Sequence, residues 1–173
     1  MDTISNYPSF RTDIKQAFRK IIDEFNFEFN EIYDGCYELG NQYSLLRFTY
    51  DRGDVNCSVR KVGEPGFGHG ILSIFRYLHP IYQITDDKTT IHDPYKQLQN
   101  LSAIIEKHFI KTLVGDFSWI EGYLRYQEKE SKMIGFIWEK IDSENPIYKK
   151  FKAGDLSWQK DLEDYLKSNH ISL

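Results

Sequence analysis

The chain has 173 residues, which fits one domain at roughly 100–200 residues per domain and is long enough to bury a core without help from a disulfide or a metal. Twenty-six acidic against 22 basic residues leave a formal net charge of -4, which argues against nucleic-acid binding, because that needs a basic field. No apolar run approaches the ~20 residues of a membrane-spanning helix, and the opening MDTISNYPSF has neither a basic n-region nor an apolar h-region. These features predict a cytoplasmic protein without a signal peptide.

In chain order, Tyr7-Pro8-Ser9 opens a helix, with Ser9 as its predicted N-cap. Ile14, Ala17, Phe18, Ile21, Ile22 and Phe25 then recur at helical spacing. The period changes at Phe25, Phe27 and Phe29, which alternate with Asn26, Glu28 and Asn30 as in a strand. A short run, Cys36 to Leu39, lies between the turn pairs Asp34-Gly35 and Gly40-Asn41. The clearest signal is Tyr43 to Val62. There Leu46, Phe48 and Tyr50 alternate with Arg47 and Thr49, and Val55, Cys57 and Val59 alternate with Asn56, Ser58 and Arg60. Asp51-Arg52-Gly53-Asp54 between them supplies a turn, so this stretch predicts a β-hairpin with one apolar and one polar face. Residues 26–62 together predict an antiparallel meander of three or four strands.

The GEPGFGHG stretch over 63–70 reads as a loop. Residues 71–78, ILSIFRYL, fit a short helix ending near Pro80, with a buried strand as the competing reading, and 81–93 reads as irregular. Asp93-Pro94 starts a helix whose face is Leu98, Leu101, Ile105, Phe109 and Leu113. Gly115-Asp116 breaks it. Phe117 to Lys129 predicts a further helix, and Met133 to Ile141 either a buried helix or its continuation. Asn145-Pro146 reads as a break, and Asp155 to Asn169 as a last helix with Leu156, Leu162, Tyr165 and Leu166 inward. The prediction is one α+β domain over 1–173: an N-terminal helix, an antiparallel three- to four-stranded meander, then a C-terminal group of helices packed on the sheet.

Chemical motifs are scarce. The glycine-rich loop lacks the Lys and Ser/Thr of a P-loop and does not match the dinucleotide fingerprint, so a loop carrying a partner contact through Phe67 and His69 is the better reading. The five histidines show no metal-binding spacing, and G-x-S-x-G, C-x-x-C and H-E-x-x-H are all missing. The sequence therefore predicts no catalytic residue, no cofactor and no metal. Cys57, on the apolar face, reads as a core residue, and nothing demands that it pair with Cys36. Phe117, Trp119, Tyr123, Tyr126, Phe136 and Trp138 are spaced as helix faces and read as core.

Charge is distributed unevenly. Between Lys20 and Arg47 every charged residue is acidic: Asp23, Glu24, Glu28, Glu31, Asp34 and Glu38. One-sign clusters raise the local potential and speed encounter with an oppositely charged partner. Interleaved Tyr33 and Tyr37 suit an interface. Glu28, Glu31, Asp34, Tyr37 and Glu38 are accordingly the predicted partner contacts.

The acidic run Asp23 to Glu38 and the sheet beginning FNFEFNEIYDGCYEL resemble the small acidic α+β immunity proteins that bacteria make beside polymorphic or contact-dependent toxins. They cover about a quarter of the chain. The resemblance implies an inhibitor that binds a cognate toxin domain, often a basic nuclease, and blocks its active site. These antidotes share no fixed motif, so no family residue can be carried over. The expected function is thus protein binding rather than catalysis. A second reading is a small-molecule-binding domain or enzyme, with a pocket between the sheet and the C-terminal helices and His69 or His92 as acid/base. A third is a structural or scaffold subunit.

Overall fold

The computed structural model describes residues 7–66, 68–79 and 93–173. The chain is α+β and forms two compact units, Met1–Ser118 and Trp119–Leu173. The first unit holds the sheet. Helices α1 (Phe10–Ala17) and α2 (Arg19–Phe25) precede strands β1 (Glu28–Tyr33), β2 (Cys36–Gly40), β3 (Ser44–Asp51), β4 (Asp54–Lys61) and β5 (His69–Gly70). Helices α3 (Ile71–Leu78), α4 (Pro94–His108) and α5 (Ile110–Leu113) follow.

The strands form an antiparallel meander in the order β1-β2-β3-β4-β5. Among the described residues it has five strands where three or four were predicted. The additional one is β5, two residues of the presumed loop that pair with β4, Val59 opposite His69. Two residues are too short for an alternation to be seen. Gly68 admits this pairing: its φ is +84°, and a Cβ there would lie 2.6 Å from the Val59 carbonyl oxygen. Phe67, predicted as a contact of that loop, lies outside the described residues.

The central hairpin follows the alternation. Leu46 faces Val59 and Phe48 faces Cys57 across the strands, all four buried, while Arg47 faces Ser58 on the other side of the sheet. The two-residue turn has positive φ at Arg52 and Gly53, which matches the right-handed twist of the strands. Gln97 of α4 clamps it: its Oε1 accepts from Val55 N at 2.7 Å, and its Nε2 donates to Gly53 O at 2.9 Å.

The apolar face is covered by helices on both chain sides of the meander. Phe18, at the junction of α1 and α2, meets Phe48 edge-on, with centroids 4.7 Å apart, and Phe10 meets Tyr37 at 5.7 Å. α3 and α4 pack on β4, and α4 also packs on α1. The N-terminal helix is interrupted: Phe18 leaves helical geometry and divides α1 from α2. Ser9 precedes the helix without capping it; its hydroxyl donates to Asp13 Oδ2 at 2.8 Å instead. Asp93 does cap α4, its Oδ1 accepting from Tyr95 N and Lys96 N. Asn41 ties three elements. Its Oδ1 accepts from Tyr43 N and Ser44 N, and its Nδ2 donates to Phe25 O and Leu113 O.

The second unit comprises α6 (Ile120–Lys140), α7 (Pro146–Lys152) and α8 (Trp158–Ser168). Its core is Met133, Ile137, Ile141, Ile147, Trp158, Leu162 and Leu166. α6 runs unbroken for 21 residues, so Met133 to Ile141 continues the helix before it. Asn145-Pro146, predicted as a break, also begins α7: Asn145 Oδ1 accepts from Ile147 N, and proline fits the first helical turn. A seven-residue helix shows too little periodicity to be read. Leu156, predicted inward, is exposed, and so is Trp138, whose ring lies under Lys152 Nζ at 4.6 Å. Among the described residues no helix is long and apolar enough to cross a membrane.

A candidate protein-interaction edge on β1

Among the described residues β1 is an edge strand, bonded to β2 on one side only. The outer side of such a strand presents unpaired backbone groups. Five of its six residues are exposed; Phe29 alone is half-buried. Period-2 geometry places Glu28 and Asn30 on the polar face with Glu38, while Phe29 and Glu31 share the helix-covered face with Leu39 and Tyr37. A register shift between Glu31 and Tyr33 bends the strand end, where Ile32 and Tyr33 stand 45% and 57% exposed.

The six acidic residues of the run divide into two groups. Asp23, Glu24, Glu28, Glu31 and Asp34 are exposed. Asp23 is 3.8 Å from Arg19 one turn away, and Glu31 is 3.9 Å from Arg11 of α1. Exposed pairs this long hold their partners weakly. Arg11 and Lys15 lie over the Phe29 ring, at 5.8 and 4.7 Å from its centroid, so the edge carries two cations beside its carboxylates. Both belong to the surface of the N-terminal helix, and only the packing of α1 beside β1 brings them to the acidic run.

Glu38 lies apart from the exposed group. It is buried, and its Oε2 accepts from Arg47 Nε at 3.3 Å and Nη2 at 3.0 Å, with Arg60 Nη2 at 3.5 Å. Arg60 in turn donates to the Glu64 carbonyl. A carboxylate removed from water is costly unless it is paired and hydrogen-bonded, and two guanidiniums supply that here. Tyr37 is buried as well, between Phe10 and Phe29. Of the five predicted contacts, then, Glu28, Glu31 and Asp34 stand in solvent, and Tyr37 and Glu38 support the sheet beneath them. β2 is paired at both edges, and side chains cover it on both faces, Phe10 and Phe29 over Tyr37 and Arg47 and Arg60 over Glu38, which alternation within one strand does not reveal.

The exposed and buried members still meet electrostatically. The Tyr37 phenol has its pKa raised first by burial, then by Glu31 and Asp34. Tyr33 lies across from Cys36, and the neighbouring thiol raises the Tyr33 pKa. Cys36 and Cys57 are both buried and free, and burial pushes the Cys57 thiol far above its ordinary pKa. Of the histidines considered for acid/base work, His69 is in β5 and His92 lies outside the described residues. The arrangement can offer a partner backbone groups, carboxylates and an aromatic rim.

No protein-family model matches this chain, and no curated protein or solved structure matches it.

Proposed function

We propose that this protein binds and inhibits a basic protein partner through the β1 edge, in the manner of an immunity protein that blocks the active site of a cognate toxin domain. The observation that carries this reading is the exposure of Glu28, Glu31 and Asp34 around an open strand edge that also bears exposed Ile32 and Tyr33. Carboxylates at the rim steer a basic partner, and the apolar and aromatic side chains supply area that water leaves on contact. Tyr37 and Glu38 contribute by holding the edge in shape.

The experiment is capture of the partner by the tagged protein at moderate salt, followed by an activity assay of that partner with and without the protein. A stoichiometric basic partner whose activity stops on binding supports the reading. Association should slow as salt rises, because steering by exposed charge is screened beyond about 10 Å at 0.1 M. Replacing Glu28, Glu31 and Asp34 together by Lys should lower the on-rate by about tenfold or more while leaving the circular dichroism unchanged. Wild-type association kinetics in that variant would place the interface elsewhere.

A further inference from the structure

Two histidines far apart in the sequence meet in the first unit. His79 follows α3 as its C-cap, its backbone N–H donating to Phe75 O at 2.9 Å, and His108 is the last residue of α4. Their ring centroids are 4.5 Å apart, edge to face, and each lies 4.9 Å from the ring of buried Phe75. Three rings in mutual contact thus join the C-terminal ends of two helices that both cover β4.

We propose that the cluster of His79, Phe75 and His108 is a proton-operated latch, which holds the end of α3 against α4 at neutral pH and releases it as both imidazoles take up protons. Neutral imidazoles pack as aromatic rings. Two imidazoliums at this separation are like charges on a partly desolvated surface, and they repel. The dipole at the C-terminus of α4 favours a cation, yet the His108 pKa lies below its ordinary value, through burial first, then His79, then Lys107.

The adjoining elements offer no described carboxylate contact to offset a second proton. On α4, Glu106 is taken by Lys20 Nζ at 2.6 Å and by the Ser102 hydroxyl. On α1, Asp13 accepts from Tyr7 and Ser9. The charged or titratable residues adjoining these helix ends in the chain are Arg76 and Tyr77 on α3, Lys107 on α4 and Lys111 on α5, while β5 carries His69 and β4 carries Arg60, the last held by Glu38. A group whose pKa is depressed on folding contributes stability above its unfolded value, here 6.5, and loses it as pH falls.

The test uses the full chain. Amide hydrogen exchange over α3 is followed from about pH 7.5 to about pH 5 and corrected for the intrinsic pH dependence of exchange, with the histidine ring protons titrated alongside by NMR. The expected result is an opening of α3 that increases roughly tenfold as the two rings titrate, with the amides of β2 and β3 unchanged. The double variant His79→Gln/His108→Gln should show no such increase. Uniform protection of α3 across the range in the wild type, or independent titration of both rings near the ordinary histidine value, overturns the latch without recourse to any variant. An unchanged pH slope in the double variant would overturn it as well.

Discussion

At the scale of single residues, what surrounds a side chain outweighs its type. Glu38 and Glu28 lie in neighbouring strands and both belong to one acidic run, yet one is buried between Arg47 and Arg60 while the other stands in solvent. Glu38→Ala would leave two guanidiniums facing each other with their shared acceptor gone. Because the arginines keep some contact with water, the expected loss is about 2–3 kcal/mol rather than the larger cost of a fully buried orphan charge. Urea denaturation measures it, and partner affinity below the unfolding range should stay near that of the wild type. Tyr7 gives a pH-dependent counterpart. Burial, and then its hydrogen bond to Asp13, raises its pKa to about 12. A phenol raised on folding keeps its full contribution below its unfolded value of 10.0 and loses it as pH climbs toward about 12. Stability measured across that window should fall more gently in Tyr7→Phe than in the wild type. Parallel profiles would mean that the Tyr7 phenol has the same pKa in the folded and unfolded chain.

At the scale of elements, the meander depends on close approaches that side chains would prevent. At Gly68 both the positive φ and the 2.6 Å approach to the Val59 carbonyl oppose a Cβ. Gly68→Ala should cost about 2 kcal/mol and detach β5 from β4, seen as faster exchange of the β4 amides that face it. If β4 protection were unaltered in that variant, the backbone could accommodate a methyl group and the glycine would have no structural role. The helices follow the same logic of local chemistry set against tertiary demand. Asp93-Pro94 and Asn145-Pro146 each place an Asx cap before a proline, and both start helices. Only the first was read as a start, because fifteen residues display an apolar stripe and seven do not. Ser9 stands at a cap position but bonds Asp13, and the helix it opens is divided at Phe18, whose ring packs against Phe48.

At the scale of the whole molecule, the chain forms two compact units, Met1–Ser118 and Trp119–Leu173. Each has its own buried cluster. The first is built on the hairpin, with Phe18, Phe48, Leu46 and Val59, and the second on Ile137, Trp158 and Leu162. A fragment ending at Ser118 should therefore unfold cooperatively and keep the β-sheet signature in far-ultraviolet circular dichroism. A broad, non-cooperative transition would show that residues 119–173 are needed to complete the first core.

Period-2 alternation from Leu46 to Arg60 was sufficient to place the central hairpin, its turn and its two faces, since strand geometry sends neighbouring side chains to opposite sides whatever the rest of the chain does. Helical spacing and the Asp93-Pro94 start did the same for α4, whereas for α6 spacing marked a helix over 117–129 and left open whether 133–141 continued it. Position within the sheet was not written in any one strand. That β1 lies at an edge and β2 between neighbours follows from pairing across the meander, and that pairing leaves Glu28, Glu31 and Asp34 exposed while it buries Tyr37 and Glu38. The approach of His79 to His108 likewise arises only when α3 and α4 pack on the same strand. Local periodicity is a property of neighbours in the chain; burial, ion pairing and ring contact are properties of neighbours in space.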